Sequence, residues 1–269
     1  MTYLETLKQS AEAIGLTLSD EALRRFEIYK DELLETNRFL NLTAITDPEE
    51  VAVKHMVDSL TVYNEKRFHN RTIADVGTGA GFPGLPLKIY DPTMRLTLID
   101  SLAKRLAFLE KVAKDMGLGQ IRCHHARAEE AGRDPKLREK FDVVVARAVA
   151  PMPVLAEYCL PLVRVGGVFY AMKGSKGMEE AEEGRQAISI LGGKIVDIRH
   201  LTLPGLDDKR YIITIEKIRP TGEQYPRRPG IATKRPLAVK PKIEDTLTVD
   251  WNGMTSDPVL FYSIILIYF

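Results

Sequence analysis

Cysteine is almost absent from this 269-residue chain: Cys123 and Cys159 lie far apart, in no CxxC spacing and with no His-rich neighbourhood. That excludes a disulfide framework and a structural zinc, so no metal site is expected and both thiols read as buried groups in a reducing compartment. Long apolar runs are missing as well. The longest, Val259 to Phe269, falls well short of the roughly 20 residues needed to span a bilayer. The opening Met-Thr-Tyr-Leu-Glu-Thr-Leu-Lys-Gln-Ser alternates polar and apolar residues, without the basic head and apolar block of a secretory signal. Neither export nor a membrane anchor is expected, which leaves a cytoplasmic protein. Excess charge of one sign is lacking too, since Lys+Arg 38 against Asp+Glu 37 gives a formal net charge of +1 that names no partner. No internal repeat is visible. What remains, 45% hydrophobic and 28% charged residues, is the composition of an ordinary globular protein. The length suits one large α/β domain with a smaller appendage, domains commonly running on the order of 100 to 200 residues.

From Leu4 to about Phe68 apolar residues recur at helical spacing and no strand is evident, so residues 1–68 read as a helical N-terminal segment. Ser19-Asp20-Glu21 marks one helix start, with Leu23, Phe26 and Leu33 inward. Asp47-Pro48-Glu49-Glu50 supplies a cap, a first-turn proline and dipole-matched acids for another, carrying Val53, Val57 and Leu60 inward. From Thr72 the texture changes to short β-rich runs, Ile73–Val76, Arg95–Ile99, Gln120–Cys123, Phe141–Ala146, Gly167–Met172, Lys194–Leu203 and Tyr211–Glu216, separated for the most part by helical stretches. That alternation specifies a parallel sheet with crossover helices. The last two runs are joined by Pro204-Gly205-Leu206-Asp207-Asp208 with no room for a helix, so they should pair as an antiparallel edge hairpin. The expected fold is α/β and Rossmann-like over residues 69–218, a seven-stranded, mostly parallel sheet of the kind found in class I S-adenosylmethionine-dependent methyltransferases. Residues 219–237 read as a basic tail rather than a core element, Arg219, Arg227, Arg228, Lys234 and Arg235 facing the lone acid Glu223. Residues 238–269 read as an extension foreign to the rest, such as a frameshift or read-through product, with a real edge strand or oligomerisation element as the alternative.

The run Asp75-Val-Gly-Thr-Gly-Ala-Gly-Phe-Pro-Gly84 sits between the first strand and the next helix. Its Gly79-Ala-Gly81-Phe-Pro-Gly84 portion satisfies the GxGxxG spacing of a dinucleotide turn, so an NAD-dependent oxidoreductase stays open. Against it stand Asp75, which repels a pyrophosphate, and Pro83, which has no N–H for a phosphate. S-adenosylmethionine, with an ammonium, a sulfonium and no phosphate, suits the loop better. Gly77 and Gly79 would let the backbone approach it, and Asp75 would pair with its ammonium directly or through water. Asp100 ends the second strand, where a carboxylate can accept both ribose hydroxyls or cap the helix near Leu102. Backbone groups of Ala128 and Glu129, after the third strand, fall where the adenine edge rests.

An Asp/Asn-Pro-Pro-aromatic turn for amine methylation is lacking after the fourth strand, as is a nucleophilic cysteine for pyrimidine C5. The fourth strand ends instead in Ala146-Arg147-Ala148-Val149-Ala150-Pro151. Such a site suits a nucleophile that needs no proton removed, such as guanine N7, with catalysis by positioning and electrostatics. Arg147 could donate to guanine O6 or hold a phosphate, and Lys173 the same from the fifth strand; a structural ion pair for Arg147 and a solvated strand end for Lys173 are the alternatives. His55 and Asp58 share a helix face. Such a pair invites a general-base reading, with a packing and capping contact between helical segment and sheet as the alternative, and N7 attack gives a base nothing to do.

Asn41-Leu-Thr43, Lys54-His55-x-x-Asp58-Ser59, the glycine loop through Pro86, Asp100-Ser101-x-x-Lys104-Arg105, Arg127-Ala-Glu129, Ala146-Arg147-Ala148 and Lys173-Gly174 together resemble the bacterial 16S ribosomal RNA guanine-N7 methyltransferases known as RsmG or GidB. The resemblance runs to about Leu237. It implies S-adenosylmethionine as cofactor, contacted by Gly77, Phe82, Ala128, Glu129 and Arg147, and one guanine in the 530 loop of 16S ribosomal RNA, free or in the small subunit, as acceptor. On this reading Arg147 and Lys173 line the guanine pocket of a monomeric enzyme, while Arg227, Arg228, Lys234 and Arg235 grip RNA phosphates. Truncation after Glu216 should then weaken RNA affinity and spare cofactor binding. A small-molecule methyltransferase and a noncatalytic RNA-binding module remain as further readings.

Overall fold

The computed structural model describes residues 1–237. The helices begin where capping chemistry places them. Thr2 opens α1 (Tyr3–Ala13) with a capping box to Glu5. Ser19 opens α2 (Asp20–Leu40) by accepting from the N–H of Ala22 at 3.2 Å. The buried stripe of α2 is Ala22, Phe26, Tyr29 and Leu33; Leu23 is only partly buried. Asp47 accepts from Glu50 N–H at 2.9 Å to start α3 (Pro48–Val51), which continues as a π-helical turn (Ala52–Val57) and then α4 (Asp58–Leu60). The wider π turn sets Lys54 and His55 over the sheet, an irregularity frequent at functional sites.

After α5 (Glu65–Phe68) the chain alternates strands and helices: β1 (Thr72–Val76), α6 (Gly84–Tyr90), β2 (Arg95–Asp100), α7 (Ala103–Asp115), β3 (Ile121–His125), α8 (Ala128–Ala131), β4 (Phe141–Arg147), α9 (Met152–Cys159), β5 (Val163–Lys173) and α10 (Gly177–Ile190). The hairpin of β6 (Gly193–Thr202) and β7 (Lys209–Lys217) follows, then α11 (Ile231–Lys234). The seven strands form one sheet in the order β3-β2-β1-β4-β5-β7-β6, with β1 to β5 parallel and β7 antiparallel to both β5 and β6. This is the class I methyltransferase architecture. In β4, Val143 and Val145 join the core shared with the N-terminal helices, and Val144 and Ala146 join the core under α9 and α10. A strand covered on both faces has to be apolar throughout. The strand order reverses between β1 and β4, which opens a crevice at their carboxyl ends, the place where ligands bind such sheets.

The described residues pack as one compact unit in which the helical segment and the sheet share a core. Two sequence expectations change. Cys159 is buried but Cys123, on the edge strand β3, is only half-buried. Residues 219–237 are not a loose tail: Thr221, Pro226 and Ala232 are buried, and carbonyls of Thr221, Gln224, Tyr225 and Pro226 accept from the guanidinium groups of Arg133 and Arg138. The expected foreign extension lies outside the described residues.

Candidate active site

The loop after β1 is organised around Asp75, which is completely buried. Its Oδ2 accepts from Thr78 Oγ1 at 2.7 Å and from the N–H of Gly84, the first residue of α6, at 2.8 Å. Its Oδ1 is buried with no hydrogen-bond partner. Burial pushes the pKa of Asp75 up to about 6, and the two donated hydrogen bonds oppose the rise. The carboxylate therefore occupies the helix N-terminus that a pyrophosphate would use, and Pro83 removes another donor there. Asp75 is buried beneath the loop and shapes it from below, with Oδ1 the one oxygen no donor has taken. Gly84 has to be glycine, because a Cβ there would lie 2.8 Å from Asp75 Oδ2. Gly77 adopts φ +68°, and a Cβ on it would lie 2.8 Å from Val149 Cγ2, so the loops after β1 and β4 touch at this point.

Asp100, also buried, uses both oxygens. Oδ2 accepts from Gly79 N–H at 2.9 Å and Oδ1 from Leu102 N–H at 2.9 Å. One carboxylate thus ties the glycine loop to the start of α7, consistent with the capping alternative, while facing a cavity of about 310 Å³. That cavity is lined by Gly77, Asp100, Ser101, Arg105, Ala128, Glu129, Val149 and Tyr158 among others. Of the residues expected to contact the cofactor, Gly77, Asp100, Ala128 and Glu129 meet on its wall; Asp75, Gly79, Phe82 and Arg147 stand outside that lining. Its charged lining is mixed, the carboxylates of Asp100 and Glu129 alongside the guanidinium groups of Arg105 and Arg127, with Arg105 Nη1 3.7 Å from Asp100 Oδ2.

A larger cavity, about 760 Å³, opens at the ends of β4, β5 and β7 and shares Ala148 and Val149 with the first. Ala148, at the junction, has φ 55°, a left-handed conformation that costs a non-glycine residue energy and clusters at functional sites. Arg147 lines the larger cavity. Its Nη1 donates to Asp58 Oδ2 at 2.9 Å and to Lys54 O at 3.1 Å, and its guanidinium lies 4.9 Å from the Phe82 ring centroid. Phe82 also stacks at 4.5 Å on His55, whose Nε2 lies 2.7 Å from Thr43 Oγ1. Burial, then the adjacent Arg147 charge, lowers the His55 pKa to about 4, so the imidazole is neutral near pH 7. Lys173 Nζ donates to Ala150 O and to Glu180 Oε2, both at 2.6 Å.

Arg147 and Lys173 are thus brought to one cavity, but neither is a free cation. The structural ion pair weighed for Arg147 exists, and Lys173 is a buried, paired strand end instead of a solvated one. Asp58 joins the π-helical region to β4 by a side-chain contact, in line with the packing alternative weighed for it from sequence. Arg210 on β7 was not singled out. Its Nε lies 3.4 Å from Asp58, and it lines the same cavity. The one sequence signal, an Asp208-Lys209-Arg210 run opening the last strand, does not tell which side chain faces inward.

The cations of the C-terminal segment divide. Arg227 binds Glu157, whose side chain is fully buried, with Nη2 to Oε2 at 2.6 Å and Nε to Oε1 at 2.9 Å. Its expected role as a phosphate contact is corrected: a guanidinium spent on a buried carboxylate is not offered to RNA. Arg228, Lys234 and Arg235 are exposed. Among the described residues no cluster of potential metal ligands occurs, and no helix is long and apolar enough to cross a membrane.

A family model described as rRNA small subunit methyltransferase G (GidB) matches residues 22–210. A protein of Pelotomaculum thermopropionicum named ribosomal RNA small subunit methyltransferase G is 50% identical over 234 residues, 87% of this chain and 98% of that protein. Proteins of the same name from Acetivibrio thermocellus, 50% identical over 231 residues, and Lactobacillus johnsonii, 48% identical over 226 residues, cover 86% and 83% of this chain and 95% of their own lengths.

Proposed function

The chain belongs to the rRNA small subunit methyltransferase G family, whose members are S-adenosylmethionine-dependent, and from that premise we propose that it methylates N7 of a guanine in the 530 loop of 16S ribosomal RNA. The smaller cavity fits the cofactor. Gly77 brings backbone close, Asp100 and Glu129 suit a cationic, hydroxyl-bearing ligand, and the helix N-terminus that would seat a phosphate is taken by Asp75. The last point also argues against the NAD reading. Bound there, S-adenosylmethionine supplies an electrophilic methyl group on a sulfonium.

One observation carries the choice of acceptor: the imidazole and carboxylates that line the larger cavity are either weak bases or, like Asp208 at 3.7 Å from Arg210, held by a cation. His55 has a pKa of about 4 and is too weak to take a proton at neutral pH. Asp58 is paired with Arg147, and Glu180 with Lys173. A nucleophile with a free lone pair, such as guanine N7, asks for none of these. Arg147 and Lys173 then act by orienting the guanine and stabilising charge on its O6 edge, with Ala148 and Val149 as the wall between acceptor and cofactor. Exposed Arg228, Lys234 and Arg235 contribute phosphate contacts. The enzyme acts in the cytoplasm as a monomer on 16S ribosomal RNA or the small ribosomal subunit.

The test incubates the protein with labelled S-adenosylmethionine and small ribosomal subunits from cells lacking the modification. Labelled N7-methylguanosine in the 530 loop is the expected product. Label at an exocyclic amine, or only on a metabolite, overturns the reading.

A further inference from the structure

Two side chains on the wall of the smaller cavity are gripped from outside it. Glu129 Oε1 accepts from the N–H of Gly230 at 2.9 Å, and Tyr158 Oη lies 3.2 Å from Thr233 Oγ1. Gly230 and Thr233 both belong to the C-terminal segment, beyond residue 210 where the family-model match ends. That segment has its own anchor one residue from Tyr158 on the same helix: Glu157 accepts from the Arg227 side chain and also from the Arg227 backbone N–H at 2.7 Å. Arg138 adds hydrogen bonds to Thr221 O and Tyr225 O, both at 2.8 Å. The chain between these anchors therefore runs as a strap behind the cofactor cavity, touching it through one side chain on α8 and one on α9.

We propose that this strap is part of the cofactor site, with Arg227 and Thr233 as positioning residues that hold Tyr158 and Glu129 in the geometry the cofactor meets. Without the strap the Glu129 carboxylate and the Tyr158 hydroxyl lose the partners that orient them, and the cavity wall gains rotamer freedom that ligand binding must remove. Linkage requires the converse: a ligand that orders this wall also orders the strap. The inference reverses the sequence-based expectation that removing the segment spares cofactor binding. It rests on assigning the smaller cavity to S-adenosylmethionine but not on the identity of the RNA.

The test is a calorimetric titration of the full chain with S-adenosylhomocysteine, without RNA. Thr233→Val, an isosteric change at an exposed position, should weaken binding about two- to tenfold, the worth of one hydrogen bond. Arg227→Gln should weaken it tenfold or more. Glu157→Gln combined with Arg227→Gln leaves an amide pair and no buried charge, which separates loss of the anchor from loss of the fold. A strap that only stabilises would lower the melting temperature and leave the dissociation constant, measured well below it, unchanged. The second readout is hydrogen exchange, where saturating S-adenosylhomocysteine should slow the amides of 230–234. Parental affinity in Thr233→Val and in the double variant, with exchange at 230–234 indifferent to ligand, overturns the proposal. Failure of the unmodified chain to bind S-adenosylhomocysteine would overturn the cofactor assignment instead.

Discussion

At residue scale the site is governed by which charges are already paired. Arg147 and Asp58 have side chains only 13% and 5% exposed, so removing one leaves the other as a buried, undercompensated charge. Arg147→Ala should cost about 3 kcal/mol of stability, the lower end of the range for such pairs because Arg210 stays within 3.4 Å of Asp58. Urea titration measures it, and methyl transfer should be lost as well. His55 provides a pH test. Its folded pKa of about 4 lies below the ordinary 6.5, so between those values the unfolded chain binds the proton and the native one does not. Stability is lost as pH falls from about 6.5 to 4. Asp75 acts in the opposite sense, since its folded pKa of about 6 exceeds the ordinary 3.8 and the native state takes up the proton first as pH falls. The difference between parent and His55→Gln across this interval isolates the histidine, and the parent should lose its advantage towards pH 4. NMR titration of the imidazole should give a midpoint near 4.

At the scale of elements, the loop after β1 and the start of α6 behave as one unit joined through Asp75. Gly84→Ala would drive a methyl group into Asp75 Oδ2 and Leu98, both 2.8 Å from the ideal Cβ. The expected cost is about 1–3 kcal/mol of overpacking. S-adenosylhomocysteine affinity should fall with the melting temperature, because Gly77 and Gly79 hang from the same loop; calorimetry and thermal melts report the two. Caps and strand runs were legible in the sequence since their causes are local: Ser19, Asp47 and the continuous apolar run of β4 act within a few residues. The π-helical turn was not legible. Its carbonyls at Lys54 and His55 accept from Arg147 at 3.1 and 3.5 Å, a partner supplied by a strand far along the chain.

For the whole molecule, the segment after Glu216 matters more than its basic composition suggests. Truncation there removes the partners of Glu157 and the Lys217 ammonium, which is buried against Glu139 at 3.1 Å. Burial is the leading reason the Lys217 pKa falls to about 8. Losing compensation at buried Glu157, about 3 kcal/mol, and a smaller amount at Glu139, which is 25% exposed, would take a large share of a net stability of about 5–15 kcal/mol. The truncated chain should be poorly soluble or melt at least several degrees lower, as circular dichroism would show. The amino-acid sequence by itself determined the fold class, the order of elements, the glycine loop with its acid, and the family, because each is written in local periodicity, capping and motif spacing. Tertiary structure alone decided which charged groups are free. Whether Arg147, Lys173 or Arg227 faces a ligand or a buried carboxylate depends on what packing brings from distant parts of the chain. Asp58, Glu180 and Glu157 carry no mark in sequence of the cation each will meet.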